Sequence, residues 1–197
     1  MTAEPYATRT LLLRPLPDGY HFRDYDPEIA WRLHEIDRAG TRLIAKHGYP
    51  SLAREPMPAM DWYRDWLASH IVFVAADRLN RPVGFTVAAE RLGDGAEAEA
   101  EASVYYLHML AVDPAHGRHG IGAALLDANE ARARWADQPA IALSTFRAVP
   151  FNAPFYRRHG FHDVDLAAAD PTLRAQFMSE VPRNVLPSTR TLMMKRL

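Results

Sequence analysis

The sequence predicts a mixed α/β (α+β) fold in one domain, and three observations predict it. Residues 71–90 hold two short runs rich in valine and phenylalanine, "IVFVAAD" and "VGFTVAAE", parted by the turn-like "RLNRP". This is hairpin patterning, although the loop is longer than the tight two-residue kind. Next, the apolar "SVYYLHMLAVD" passes through Gly117, Gly120 and Gly122 into the helical "AALLDANEARARWA" and on to another strand, "AIALSTF". That order is a strand–helix–strand crossover. Finally, 197 residues with 48% hydrophobic and 24% charged side chains suit one domain with an ordinary core.

The elements follow in order. Residues 1–18 read as an N-terminal extension, with an opening strand in either "RTLLLRPL" or "GYHFRDY". "DPEIAWRLHEIDRAG" reads as a helix, with Asp26 as N-cap, Pro27 at the first position and Gly40 at the end. Its apolar residues Ile29, Ala30, Leu33 and Ile36 have helical spacing. "TRLIAKHGYPSLA" is a loop or a short helix, and "REPMPAMDWYRDWLASH" holds a second helix after two prolines. Behind the hairpin, "RLGDGAEAEAEA" is an acidic, low-complexity connection. After the crossover, "NAPFYRRHG" is a short helix that starts near Asn152 and closes at Gly160. "FHDVDL" and "TLMMKRL" read as closing strands, and no internal repeat or linker is evident.

Composition excludes some functions. A net charge of -1 argues against general nucleic-acid binding. Without cysteine there is no disulfide, thiolate nucleophile or thiolate metal site. The N-terminal residues lack a charged-then-apolar signal pattern, and no apolar run approaches the roughly 18 residues of a membrane span. A cytoplasmic setting without a membrane partner is therefore expected. His116 with His119, and His159 with His162, have metal-like spacing but no evident third ligand, so no metal is expected. His34-Glu35 lacks the second histidine of a zinc protease.

The glycines of "DPAHGRHGIGAALLD" need a reason, because each one inside a helix costs roughly 0.5–1 kcal/mol relative to alanine. A strand ending at Val112 and a helix starting near Gly120 bring unpaired first-turn N–H groups together at a partly positive dipole end. Such a place binds phosphate, and glycine removes the Cβ that would block a bulky pyrophosphate. Arg118 and His119 add positive character. A Walker loop is excluded because Ala123 and Ala124 follow Gly122, and a dinucleotide fingerprint is excluded because Leu125 stands at its third small position. On the residues alone, glycines that serve only turns and helix packing remain an equal alternative.

"LHMLAVDPAHGRHGIGAALL" and, some thirty residues later, "NAPFYRRHGF" resemble the two signatures of the GCN5-related N-acetyltransferases. The resemblance is strongest over residues 70–165. It implies a single N-acetyltransferase domain over residues 1–197, with a mostly antiparallel mixed sheet flanked by helices and a central splay between strands that holds the cofactor. It implies acetyl-coenzyme A as cosubstrate. The implied cofactor-binding residues are Leu110, Ala111, Val112, Arg118, His119, Gly120, Ile121, Gly122, Ala123, Asn152 and Tyr156. The family's Gln/Arg position falls on Gly117 here, with Arg118 one place later.

Acetyl transfer from a thioester to an amine needs a neutral amine, an N–H donor for the oxyanion, and relief of charge on the departing thiolate. The resemblance assigns the oxyanion to the N–H of Leu110 on a bulged strand. Leu110 and Val112 would pair with the pantetheine arm as with another strand. Tyr156 matches the family's thiolate partner, and Asn152 contacts the cofactor arm and is placed to cap its helix. The alternative for Tyr156 is simple packing. Strand alternation puts His108, Leu110 and Val112 on one face unless a bulge intervenes. His108 suits a base, since histidine titrates near neutral pH. "YLHMLAV" is also similar to the arylalkylamine N-acetyltransferases, whose strand carries paired histidines; His108 matches the second, and Tyr106 stands at the first. A purely structural histidine is the alternative, and Glu101 is a weaker candidate base. Trp31, Trp62, Tyr63 and Trp66 read mainly as core, with one or two bordering the acceptor. The expected reaction is acetyl transfer to a small primary amine. A coenzyme A-binding sensor, a protein amine as acceptor and a longer acyl group stay open, as does a homodimer.

Overall fold

The computed structural model describes residues 13–90 and 104–197. One seven-stranded sheet runs through it in the order β1-β2-β3-β4-β5-β7-β6. The strands are β1 (Tyr20–Arg23), β2 (Ile71–Asp77), β3 (Pro82–Ala89), β4 (Tyr105–Val112), β5 (Ala140–Phe146), β6 (His162–Asp163) and β7 (Arg190–Arg196). The helices are α1 (Ala30–Ala45), α2 (Met60–Ala68), α3 (Ile121–Trp135), α4 (Ala153–Arg158) and α5 (Pro171–Ser179). All strand pairs are antiparallel except β4 with β5, the pair joined by α3. The predicted mixed fold is the one observed.

Helices cover both faces. On one, Leu126 and Ala133 of α3 and Ala153 and Tyr156 of α4 pack against Tyr105, Leu107, Ile141, Leu143 and Met193. On the other, α1 and α2 bury Leu33, Ile36, Tyr63 and Leu67 against Val74, Phe85 and Val87. On that same face, α5 buries Leu173 and Phe177 against Tyr106, Ala142 and Leu192.

Local chemistry sets the element ends. The Asp26 carboxylate accepts the N–H of Glu28 at 2.8 Å, so it caps as expected, although the first turn (Pro27–Ile29) is 3-10. Asp77 closes the β2–β3 hairpin by accepting the N–H groups of Leu79 and Arg81, with Asn80 at φ 59°. Asn tolerates that left-handed conformation better than most residues.

Three sequence expectations are corrected. Gly40 does not end α1, which continues to Ala45. The continuation is favoured because Ala45 and Ile44 bury against Leu52, Phe146 and Val149, and that packing outweighs the cost of one mid-helix glycine. The strand expected over "FHDVDL" keeps only two residues. The stretch after it contains α5, which the sequence reading left without an element. The N-terminal side of the alternative strand "RTLLLRPL" and the acidic connection both fall outside the described residues, and the opening strand lies in "GYHFRDY". Among the described residues no helix is long and apolar enough to cross a membrane.

Candidate active site

The glycine-rich loop delivers α3 with its first turn bare. Arg118 and Gly120 both sit at positive φ, 63° and 83°. The carbonyl of Gly120 accepts from Ala124 at 3.1 Å as the helix begins, so the N–H groups of Ile121, Gly122 and Ala123 precede the first helical bond. No side chain caps this end. Gly120 occupies a conformation that costs an L-residue about 1–2 kcal/mol. Gly122 is different. A Cβ there would meet Leu110, Phe155 and Val112 at 3.7–3.8 Å, so the glycine faces a gap between β4 and α4. Arg118 and His119 are exposed at the same mouth, and His119 Nδ1 lies 3.2 Å from the His116 carbonyl.

Beside this mouth the sheet comes apart. β4 pairs with β5 only at Tyr105–Ile141 and Tyr106–Ala142, although β4 continues to Val112 and β5 to Phe146. From Leu107 onward β4 has only β3 beside it among the described residues. Leu110 and Val112 point toward α3, and Ala111 points toward α1 and α2. Asn152 stands at the start of α4, but its side chain does not cap the helix. Instead Nδ2 donates to Thr145 Oγ1 on β5 at 2.8 Å. Tyr156 is buried at 8% exposure between Phe155 and Phe161. Burial pushes its phenol above the usual tyrosine range, and the hydroxyl makes no hydrogen bond among the described residues.

β4 is bulged at the histidine. Against β3 the register steps from Val87–Met109 to Ala88–Leu107, which leaves His108 without a cross-strand partner. The extra residue reverses the alternation. Leu107, Leu110 and Val112 therefore share the α3 face, while His108 joins Tyr106 and Met109 on the other. The shared face of His108, Leu110 and Val112 that unbroken alternation would give is therefore not formed, because the bulge intervenes.

On its new face His108 meets a polar cluster drawn from four elements. Its Nδ1 lies 3.2 Å from Glu180 Oε1. Glu180 also accepts from Tyr106 Oη at 2.9 Å, Ser144 Oγ at 2.6 Å and Gln176 Nε2 at 2.8 Å. Arg190 donates to Ser144 and stands 3.9 Å from the carboxylate. Burial alone would raise the Glu180 carboxyl, but the hydrogen bonds from His108, Ser144 and Gln176 outweigh it and hold the group below the usual carboxylate range. His70 packs edge to face on His108 with centroids 5.0 Å apart. Burial lowers the His70 imidazole, the Trp66 carbonyl opposes this, and His108 lowers it further. His108 Nε2 is buried with no hydrogen-bond partner among the described residues.

The sequence reading missed Glu180, Gln176, Ser144, Arg190 and His70. A signal for α5 was present. Asp170 accepts from Thr172 and Leu173 as an N-cap, Pro171 fills the first position, and Leu173 and Phe177 stand one turn apart. Of the four N-terminal aromatics, Tyr63 is core and Trp31 is 54% exposed. Trp62 stacks on Trp66 at 5.8 Å, and Trp66 reaches His108 at 6.3 Å. Glu101 lies outside the described residues, and among the described ones no three potential ligands gather around a metal position.

Residues 68–163 match the family model of the acetyltransferase (GNAT) domain. Solved structures share the fold at low identity. A GNAT-family acetyltransferase from Staphylococcus aureus Mu50 is 16% identical at a TM-score of 0.63, covering 90% of this chain and 99% of its own. A GCN5-related N-acetyltransferase from Rhodopseudomonas palustris is 17% identical at 0.60, covering 94% and 99%. The PaiA N-acetyltransferase from Thermoplasma acidophilum, solved with coenzyme A, is 16% identical at 0.56, covering 90% and 99%.

Proposed function

We propose that this chain, whose residues 68–163 match the GNAT acetyltransferase domain, transfers an acetyl group from acetyl-coenzyme A to a small primary amine. One observation carries the reading. The β4–β5 pairing ends at Tyr106–Ala142, beside a glycine-built helix start whose first amides have no helical partner.

The residues present fit the cosubstrate. A left-handed Gly120 and the open side of Gly122 leave a cradle that a larger side chain would fill. In this reading the N–H groups of Gly120, Ile121, Gly122 and Ala123 hold the pyrophosphate. Arg118 and His119 add charge at the mouth. The unpaired edge of β4 at Leu110, Ala111 and Val112 takes the pantetheine arm as an added strand. Asn152 and Tyr156 line the arm from α4. Bound there, acetyl-coenzyme A supplies an activated acyl group.

The chain's own groups divide the remaining work. The Leu110 N–H is assigned to the acyl oxygen. His108 Nε2, buried without a partner, takes the proton that the amine must lose. Tyr156, kept protonated by burial, donates a hydrogen bond to the departing sulfur rather than a full downhill proton. The stacked Trp62–Trp66 pair borders the approach to His108 and favours a small acceptor with an apolar body.

The test is release of free coenzyme A across a panel of small primary amines. Release that depends on one of them supports the reading. Bound acetyl-coenzyme A with no turnover on any amine would make the chain a binding module. Turnover only on peptide amines would move the acceptor to a protein.

A further inference from the structure

We propose that Glu180 is the positioning residue of the acceptor side: it holds His108 in the Nδ1–H tautomer, so that the Nε2 lone pair is the one presented to the amine. The inference rests on the reading of His108 as base and adds the group that would make it one.

The geometry carries the argument. An ionised carboxylate can only accept. With Glu180 Oε1 3.2 Å away, His108 Nδ1 must therefore carry the hydrogen and donate it. Gln176 Nε2 also lies 3.4 Å from Nδ1; it gives one of its two hydrogens to Glu180 at 2.8 Å, and an Nδ1 that accepted the other would turn a lone pair onto the carboxylate oxygen. Nε2 is left as a bare acceptor, buried and without a partner among the described residues. A buried acceptor without a donor is costly to keep. It is retained where an incoming donor can satisfy it.

The rest of the cluster secures the carboxylate. Tyr106 and Ser144 donate to Oε2, Gln176 and His108 address Oε1, and Arg190 places a buried positive charge nearby. His70 and Trp66 pack around the imidazole as rings, and neither hydrogen-bonds to it. The proton that leaves the amine nitrogen arrives at Nε2, and the resulting imidazolium lies against Glu180. Carboxylate-held histidines keep one tautomer and one ring orientation for this reason.

The experiment is nitrogen-15 NMR of the histidine side chains in the full chain, with His108 assigned by His108→Gln. Wild type is expected to show Nδ1 protonated and Nε2 bare. In Glu180→Gln a single amide oxygen faces four donors, so the Nδ1–H preference is expected to be lost. Turnover on one amine should fall on the order of 10²-fold, with acetyl-coenzyme A affinity unchanged and partial recovery in Glu180→Asp. An Nε2–H tautomer in wild type overturns the proposal. So does a Glu180→Gln variant that keeps the wild-type tautomer, whatever its turnover. If no amine is acetylated at all, the functional reading fails separately, because the tautomer needs no acceptor to be read. If Glu180→Gln does not fold, the wild-type tautomer and Glu180→Asp still decide.

Discussion

The two halves of the site are built in different ways. The proposed cofactor side is a run of neighbours, residues 117–123, whose backbone conformation leaves the amides at the mouth of α3 free of helical partners. The proposed acceptor side is made of side chains from β4, β5, α5 and β7, joined across sequence separations of up to 74 residues. A backbone site needs glycines at fixed spacing, and those can be read as letters. A side-chain site assembled by topology has no local signature.

That difference governs what was legible. Gly120 and Gly122 mark a helix start in the letters alone, and α3 begins there with Gly120 left-handed. Val74, Phe85 and Val87 announced buried strands through their apolar runs. His108 was singled out, but its face hung on whether the strand was bulged, and a one-residue bulge leaves no mark in composition. Glu180 was invisible because its helix went unassigned, and because its partners depend on α5 returning to the sheet before β7.

The predictions press on this contrast. The largest effect is expected on the acceptor side. His108→Gln should lower turnover at fixed pH on the order of 10²-fold. Wild-type turnover, at matched folded fraction, would return His108 to a structural role.

On the cofactor side the informative change is Gly122→Val. The Cβ fits at 3.7–3.8 Å, so the fold should survive, while the branches fill the gap between β4 and α4. Coenzyme A affinity should fall at least about tenfold, equivalent to roughly 1.4 kcal/mol. Gly120→Val would test this less cleanly, since φ 83° adds strain and Pro17 lies 3.3 Å from the new Cβ.

Tyr156→Phe sits between the two halves. It keeps the ring packing and deletes a donor, so turnover should drop roughly tenfold, on the scale of one hydrogen bond to a charged group. Cofactor affinity should stay the same, because that bond matters only along the reaction coordinate. Full turnover with chemistry rate-limiting would leave Tyr156 a packing residue.

The smallest effect is on stability alone. Burial pushes the Asp37 carboxyl up to about 6, against the pull of His34 and a hydrogen bond with Thr41. A folded-state value above the unfolded one means that its favourable contribution is complete below about pH 4. That contribution is lost as pH rises through about 6. Asp37→Asn should therefore stabilise the fold by about 1–2 kcal/mol at pH 8, discounted for partial exposure, and by little at pH 4. Equal effects at both pH values in denaturant melts would remove the carboxyl from the account.

The central claim is that one half of the site binds the cofactor and the other handles the acceptor's proton. Calorimetric titration of acetyl-coenzyme A into wild type, Gly122→Val and His108→Gln tests it most directly. The account predicts wild-type affinity for His108→Gln and a loss of at least about tenfold for Gly122→Val. Equal weakening in both variants, or wild-type affinity in a folded Gly122→Val, would contradict it.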